Sequence, residues 1–167
     1  IKDVKIVKNN WRKKHLKTIE QNYNNCIGFN DVFPKIIECY NRNSEFLVDL
    51  IIPLMETIMK ILNINIPIFY ASQLNIHGRK TELLVDICKK TKCNTYLSGQ
   101  GAKNYFNPIV FEKNNLNHKY NIFKHPKYTQ LGGDFVEGIA IIDLIFNEGV
   151  IKSRKIFWDN VYEDKTF

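Results

Sequence analysis

Residues 66–103 read IPIFYASQL (66–74), NIHGRK (75–80), TELLVDICKKT (81–91), KC (92–93), NTYL (94–97) and SGQGAK (98–103). The first block is short, β-branched and aromatic, which predicts a buried strand. The third carries Leu83, Leu84, Ile87 and Cys88 on one helical face and Glu82, Asp86, Lys89 and Lys90 on the other. The fifth predicts a second strand. Strand, helix and strand within about 30 residues is the spacing of a βαβ unit, whose strands run parallel with a right-handed crossover. A further strand around 119–123 and an apolar helix at 138–147 continue the alternation.

Upstream the texture is helical. Trp11, His15, Ile19 and Tyr23 recur at steps of four with Leu16 beside them, which predicts a helix over 11–23 with its basic residues facing out. A second helix is expected over 32–41. A third, over 45–62, is either kinked or reopened by Pro53, which lacks a ladder donor. Val4 to Val7 alternates weakly, as a short strand would. The fold class is α/β, a parallel-sheet βαβ core with a helical N-terminal half, in a single domain over 1–167.

Composition narrows the function. Of 167 residues 44% are hydrophobic and 25% charged, with eight Gly and five Pro, which excludes disordered and collagen-like chains. The formal charge of +7 is uneven: residues 1–20 hold seven cations against Asp3 and Glu20. That stretch is either a solvated helix face or a surface that steers an anionic ligand. No RNP pattern, zinc-finger spacing or heptad accompanies it. Cys26, Cys39, Cys88 and Cys93 are irregularly spaced with no C-x-x-C pair, so neither a zinc site nor a redox pair is expected, and a reducing cytoplasm suits them. The most apolar window, 46–55, is too short to span a bilayer and contains Asp49 and Pro53.

Ligands of open α/β sheets bind beyond the carboxyl ends of the strands, which selects the loops at 75–80 and 98–105. Arg79 and Lys80 stand at a helix N-terminus, where cations oppose the dipole unless an anion is bound; solvated loop cations are the alternative. The earlier glycine of a Walker A loop would fall on Gln73, so no such loop is present. Ser98, Gly99, Gln100, Gly101, Lys103, Asn104 and Tyr105 form the densest polar cluster, and its two glycines permit close backbone approach or positive φ. In the last helix Asp143 and Asn147 make a narrow polar stripe on an otherwise apolar surface, either a structural hydrogen-bond network or the edge of a ligand crevice. Gly149 is expected to terminate that helix. His15 is a candidate general base or a packing histidine; His118 and His125 flank a strand without metal-ligand spacing.

Trp11-x-Lys13-Lys14-His15, Leu74 with Gly78-x-Lys80-Thr81-Glu82-Leu83, Tyr96-Leu97-Ser98-Gly99-x-Gly101-Ala102-Lys103-x-Tyr105, Tyr128-x-Gln130 and Ile142-Asp143-Leu144-x-Phe146-Asn147-Glu148-Gly149 together resemble the WbqC-like family, in order and over nearly the whole chain. Bacterial members are commonly encoded among genes for O-antigen and other surface polysaccharides. The resemblance implies a cytoplasmic transferase that places an acyl or aminoacyl group on a nucleotide-linked amino sugar. Two features depart from the family pattern. No His-x-Pro-x-Tyr-x-Pro-Trp-like opening is present, so an N-terminally truncated fragment is expected. Ala71-Ser72 and Ala140 stand where the family tends to have Ser-Ser and Ser.

The resulting expectation gives His15 and Asp143 catalytic roles. Arg79, Lys80, Ser98, Gly99, Gln100, Gly101, Lys103, Tyr105 and Asn147 bind the nucleotide-activated sugar, with no cofactor or metal and no membrane insertion. The acyl or aminoacyl donor and the oligomeric state stay open. A non-catalytic nucleotide-sugar-binding or assembly protein is the alternative reading, and nucleic-acid binding through the basic N-terminal patch is the third.

Overall fold

A computed structural model describes residues 1–163. In chain order it contains α1 (Trp11–Tyr23), α2 (Phe29–Asn41), α3 (Val48–Leu62), α4 (Thr81–Lys90), β1 (Thr95–Ser98), α5 (Pro108–Glu112), β2 (Asn117–Tyr120) and α6 (Ile141–Glu163). Among the described residues, 1–65 and 125–163 form one compact unit and 66–124 form another.

The first unit is helical. Its core is Val32, Phe33 and Ile36 of α2, Leu50 and Leu62 of α3, and Ile145 and Phe146 of α6, all buried. Phe29 stacks on Phe33 at 4.5 Å between ring centres, and Tyr23 meets Phe146 at 4.9 Å. The turn between α1 and α2 lies directly on α6. Gly28 donates its N–H to the Phe146 carbonyl at 2.9 Å, and a Cβ on Gly28 would sit 2.2 Å from the Ile145 carbonyl oxygen, so no other residue fits. α3 runs as one helix through Pro53, without the ladder bond that an N–H there would have donated to the Asp49 carbonyl. Its last carbonyls are capped from α6: Arg154 Nε donates to Ile61 at 2.5 Å and Trp158 Nε1 to Leu62 at 2.9 Å. The strand expected at Val4–Val7 reduces to one antiparallel bridge between Lys5 and Phe46.

α6 departs from expectation in length. Gly149, at φ 71° and ψ 167°, does break the helix, but the chain resumes helical geometry beyond it and runs to Glu163. The buried Ser153 hydroxyl donates across the break to the Leu144 carbonyl at 3.1 Å.

In the second unit, Val85 and Cys88 of α4 pack with Phe111 of α5, bordered by Tyr96, Phe106 and Leu116. β1 and β2 pair in parallel, with Thr95 opposite Asn117 and Ser98 opposite Tyr120. The α/β class and the parallel βαβ unit are therefore present, but the expected composition of that unit is corrected. Residues 66–74 form no strand; Ala71–Gln73 is a single 3₁₀ turn. Pro67 removes a donor there, and Ile66, Ile68 and Phe69 remain exposed, so no sheet face is buried to hold a strand. The crossover passes through α5, joining β1 to β2, and the second strand is Asn117–Tyr120 rather than 119–123.

Candidate functional site

In the first unit the polar stripe of α6 meets the segment 128–136. Asp143, 5% exposed, accepts Tyr23 Oη at 2.8 Å on Oδ1, and Tyr128 Oη at 2.7 Å and Gln130 Nε2 at 3.0 Å on Oδ2. Asn147 Nδ2 adds a contact at 3.2 Å to Oδ1 and one at 2.9 Å to the Asp143 carbonyl. Four donors thus satisfy one buried carboxylate without a cation among them. Burial, then the hydrogen bond to Asp143, pushes the Tyr128 phenol up to about 12, and the same causes push Tyr23 higher still. Both phenols hold their protons for the carboxylate.

The rest of the stripe is equally occupied. Asn147 Oδ1 accepts the Leu131 N–H at 3.1 Å and the Cys26 thiol at 3.6 Å. Glu148, also buried, accepts the Thr129 N–H at 2.9 Å and pairs with Lys152 at 2.5 Å. Burial opposes ionisation of Glu148, but Lys152 and the Thr129 amide outweigh it and hold the carboxyl below the usual range. Gln130 closes the segment on itself, accepting the Val136 N–H at 2.8 Å and donating to the Val136 carbonyl at 3.1 Å.

His15 belongs to a different network. It is exposed on α1, and its Nδ1 lies 2.6 Å from the Tyr40 hydroxyl, with Trp11 at 6.3 Å between ring centres. Arg12 is a structural residue of the basic stretch, bonded to the carbonyls of Tyr40, Arg42 and Ser44.

The remaining expected site residues lie in the second unit. Thr81 there does what the missing strand was expected to do. Buried at 4% exposure, its hydroxyl donates to the Tyr105 carbonyl at 3.3 Å and accepts the Asn107 N–H at 3.0 Å, tying the loop before α4 to the loop after β1. Arg79, Lys80, Lys103 and Tyr105 are all exposed beside that tie. Lys80, at φ 51° and ψ −124°, holds a backbone conformation that side-chain-bearing residues rarely adopt, and such strain clusters at functional sites. Lys103 Nζ lies 5.3 Å from the Tyr120 ring centre, and Gln100 Nε2 donates to the Asn121 carbonyl at 3.0 Å. Neither Gly99 nor Gly101 has positive φ, and a Cβ on either would meet nothing within 4 Å.

Ser98 ends β1, and its Oγ lies 2.8 Å from His118 Nε2 on β2. The imidazole stacks on Phe106 at 3.8 Å and meets Tyr120 edge-on at 4.4 Å. Burial lowers its pKa, favouring the neutral ring. Sequence reading missed this pair, as it missed Tyr23 as a partner of Asp143. Among the described residues no group of three or more His, Cys, Asp and Glu is placed to hold a metal ion.

Against known proteins, the chain matches the WbqC-like protein family over residues 1–155. It belongs to that family. A WbqC-like chain therefore supplies both clusters, and its two most specific blocks fall one in each. The chain is 25% identical over 151 residues to "Uncharacterized protein Rv1507c" of Mycobacterium tuberculosis (strain ATCC 25618 / H37Rv), an alignment covering 89% of this chain and 65% of that protein. It thus spans just under two thirds of that relative's length. No solved structure matches it. No helix among the described residues is long and apolar enough to cross a membrane.

Proposed function

We propose that the protein acts in surface-glycan biosynthesis, transferring an acyl or aminoacyl group to the amine of a nucleotide-linked sugar. Membership of the WbqC-like family, which is associated with surface-polysaccharide biosynthesis, supports the setting. The observation that carries the ligand class is the Thr81 tie. It puts Arg79 and Lys80 of one loop next to the loop that presents Lys103, with open space over Gly99 and Gly101. Exposed cations on a fixed loop pair suit a pyrophosphate, which a guanidinium grips in bidentate fashion. Two glycines without neighbours suit the approach of a flat sugar or base face. Gln100, Ser98 and Tyr105 complete the lining.

His15 lies in the first unit with its Nδ1 against the Tyr40 hydroxyl, and this reading gives it no step. Asp143 and Asn147 fasten neighbouring segments to α6, since their acceptors are occupied by Tyr23, Tyr128, Gln130, Leu131 and Cys26. That same occupancy favours a second reading, a nucleotide-sugar-binding protein without turnover.

A thermal-shift series with nucleotide-linked amino sugars tests the proposal, because a ligand of the folded state raises the melting temperature by mass action. A selective shift that Arg79→Ala and Lys103→Ala each weaken is the expected result. No shift with any nucleotide sugar removes the proposal. Binding without transfer from acyl or aminoacyl donors leaves the second reading.

A further inference from the structure

From the contact between Ser98 Oγ at the carboxyl end of β1 and His118 Nε2 of β2, we infer that Ser98 is an acyl-accepting nucleophile with His118 as its general base. The inference rests on the acyl-transfer reading and supplies its covalent step. A serine hydroxyl is a weak nucleophile until an adjacent base takes its proton, and 2.8 Å is the separation that transfer requires.

The surroundings suit that task. Ser98 is fixed by the ladder, its carbonyl accepting the Asn121 N–H at 2.7 Å. His118 lies on the same face of β2, two residues before the residue that pairs with Ser98. Stacking on Phe106 and edge contact with Tyr120 hold the ring in one orientation. Ser98 itself is 6% exposed, but the residue after it, Gly99, and Gly101 beyond carry no side chain and face open space. The exposed cations Arg79, Lys80 and Lys103 stand on the two loops that Thr81 joins there.

The step balances with an acyl thioester as donor. Ser98 Oγ bonds the acyl carbon and the carbon–sulfur bond breaks. The hydroxyl proton moves to His118 Nε2 and then to the departing thiolate. The sugar amine next attacks the acyl carbon; the carbon–nitrogen bond forms and the carbon–Oγ bond breaks. A proton from the amine returns through His118 to Ser98. Nothing is oxidised or reduced.

The test treats the full chain with p-nitrophenyl acetate and with an acetyl thioester of N-acetylcysteamine, followed by intact mass and peptide mapping. One acetyl group on Ser98 is expected, absent in Ser98→Ala and carried by the new thiol in Ser98→Cys. His118→Gln should slow acylation by roughly 100-fold or more while the variant melts as a folded protein. Acylation elsewhere only, or none, overturns the inference, and so does an unchanged rate in folded His118→Gln. The nucleotide-sugar shift is read separately on the unsubstituted protein. A shift without acylation removes the dyad alone, whereas acylation without a shift keeps the dyad and removes the sugar reading.

Discussion

Asp143 and Ser98 are both buried polar residues, each in one of the two blocks most specific to the family, yet their neighbourhoods are opposite. Asp143 is enclosed by four donors, and Asn147 and Glu148 beside it spend their groups on the backbone of residues 129–131. Ser98 has one side-chain partner, His118, and a glycine on the other side facing open space. The first block uses its polarity to fasten a loop to a helix; the second leaves its polarity available. Conspicuous polar residues in an apolar run thus carry two meanings, told apart by whether every donor and acceptor is already matched.

The largest expected effect breaks the closed cluster. Asp143→Ala removes the acceptor of both the Tyr23 and Tyr128 phenols; at about 1–3 kcal/mol for each stranded group, the loss should be about 3 kcal/mol or more. Urea denaturation measures it. A loss of under about 1 kcal/mol, the ordinary centre for point substitutions, would mean the network contributes little. Next comes a pair of glycines. Gly149→Ala places a side chain at φ 71° and ψ 167°, a region open to glycine almost alone, and should cost about 1–3 kcal/mol. The added Cβ would meet only Ile27, at 3.5 Å, so the cost is conformational rather than steric. Gly101→Ala, with neither positive φ nor a neighbour, should leave the melting temperature unchanged and weaken ligand binding instead.

The same contrast explains what could be read from residues alone. α1 begins and ends where its four-residue spacing says it should, and α4 nearly so, because an amphipathic face is a local property. The run at 66–74 misled because short apolar stretches are ambiguous, and strand formation needs a partner that local pattern does not reveal. Gly149 was legible as a break but not as a kink between two helical segments. The Asp143–Asn147 stripe offered a buried network as one of two readings, whereas Tyr23 lies 120 positions from Asp143 and no spacing rule connects them. Ser98 and His118 come together only through the register of β1 and β2, which sequence leaves unspecified.

Alkaline pH offers a graded test of the closed cluster. Tyr128 titrates in the unfolded chain at 10.0 and in the fold at about 12, so its contribution is complete below pH 10 and is lost as pH rises towards 12. Tyr23, raised further, extends the loss upward. The urea midpoint should fall across that window, and Tyr128→Phe should flatten the fall while lowering stability at neutral pH by about 1 kcal/mol. An equally steep fall in Tyr128→Phe and Tyr23→Phe would place the sensitivity outside this network.

The smallest effect on stability belongs to the open loops, and there its smallness is the point. Arg79→Ala and Lys103→Ala remove exposed cations and should stay within about 0.5 kcal/mol of the parent in urea. Thr81→Val separates support from contact. It keeps the shape of Thr81 but removes the hydroxyl that bonds Tyr105 and Asn107, so it should cost about 1–3 kcal/mol and weaken nucleotide-sugar binding together. If the two cation variants lose affinity at unchanged stability while Thr81→Val loses both, the loops act as a pre-formed site held by one buried hydroxyl. If Thr81→Val loses stability but binds as before, the tie serves packing alone and the ligand rests on the cations without it.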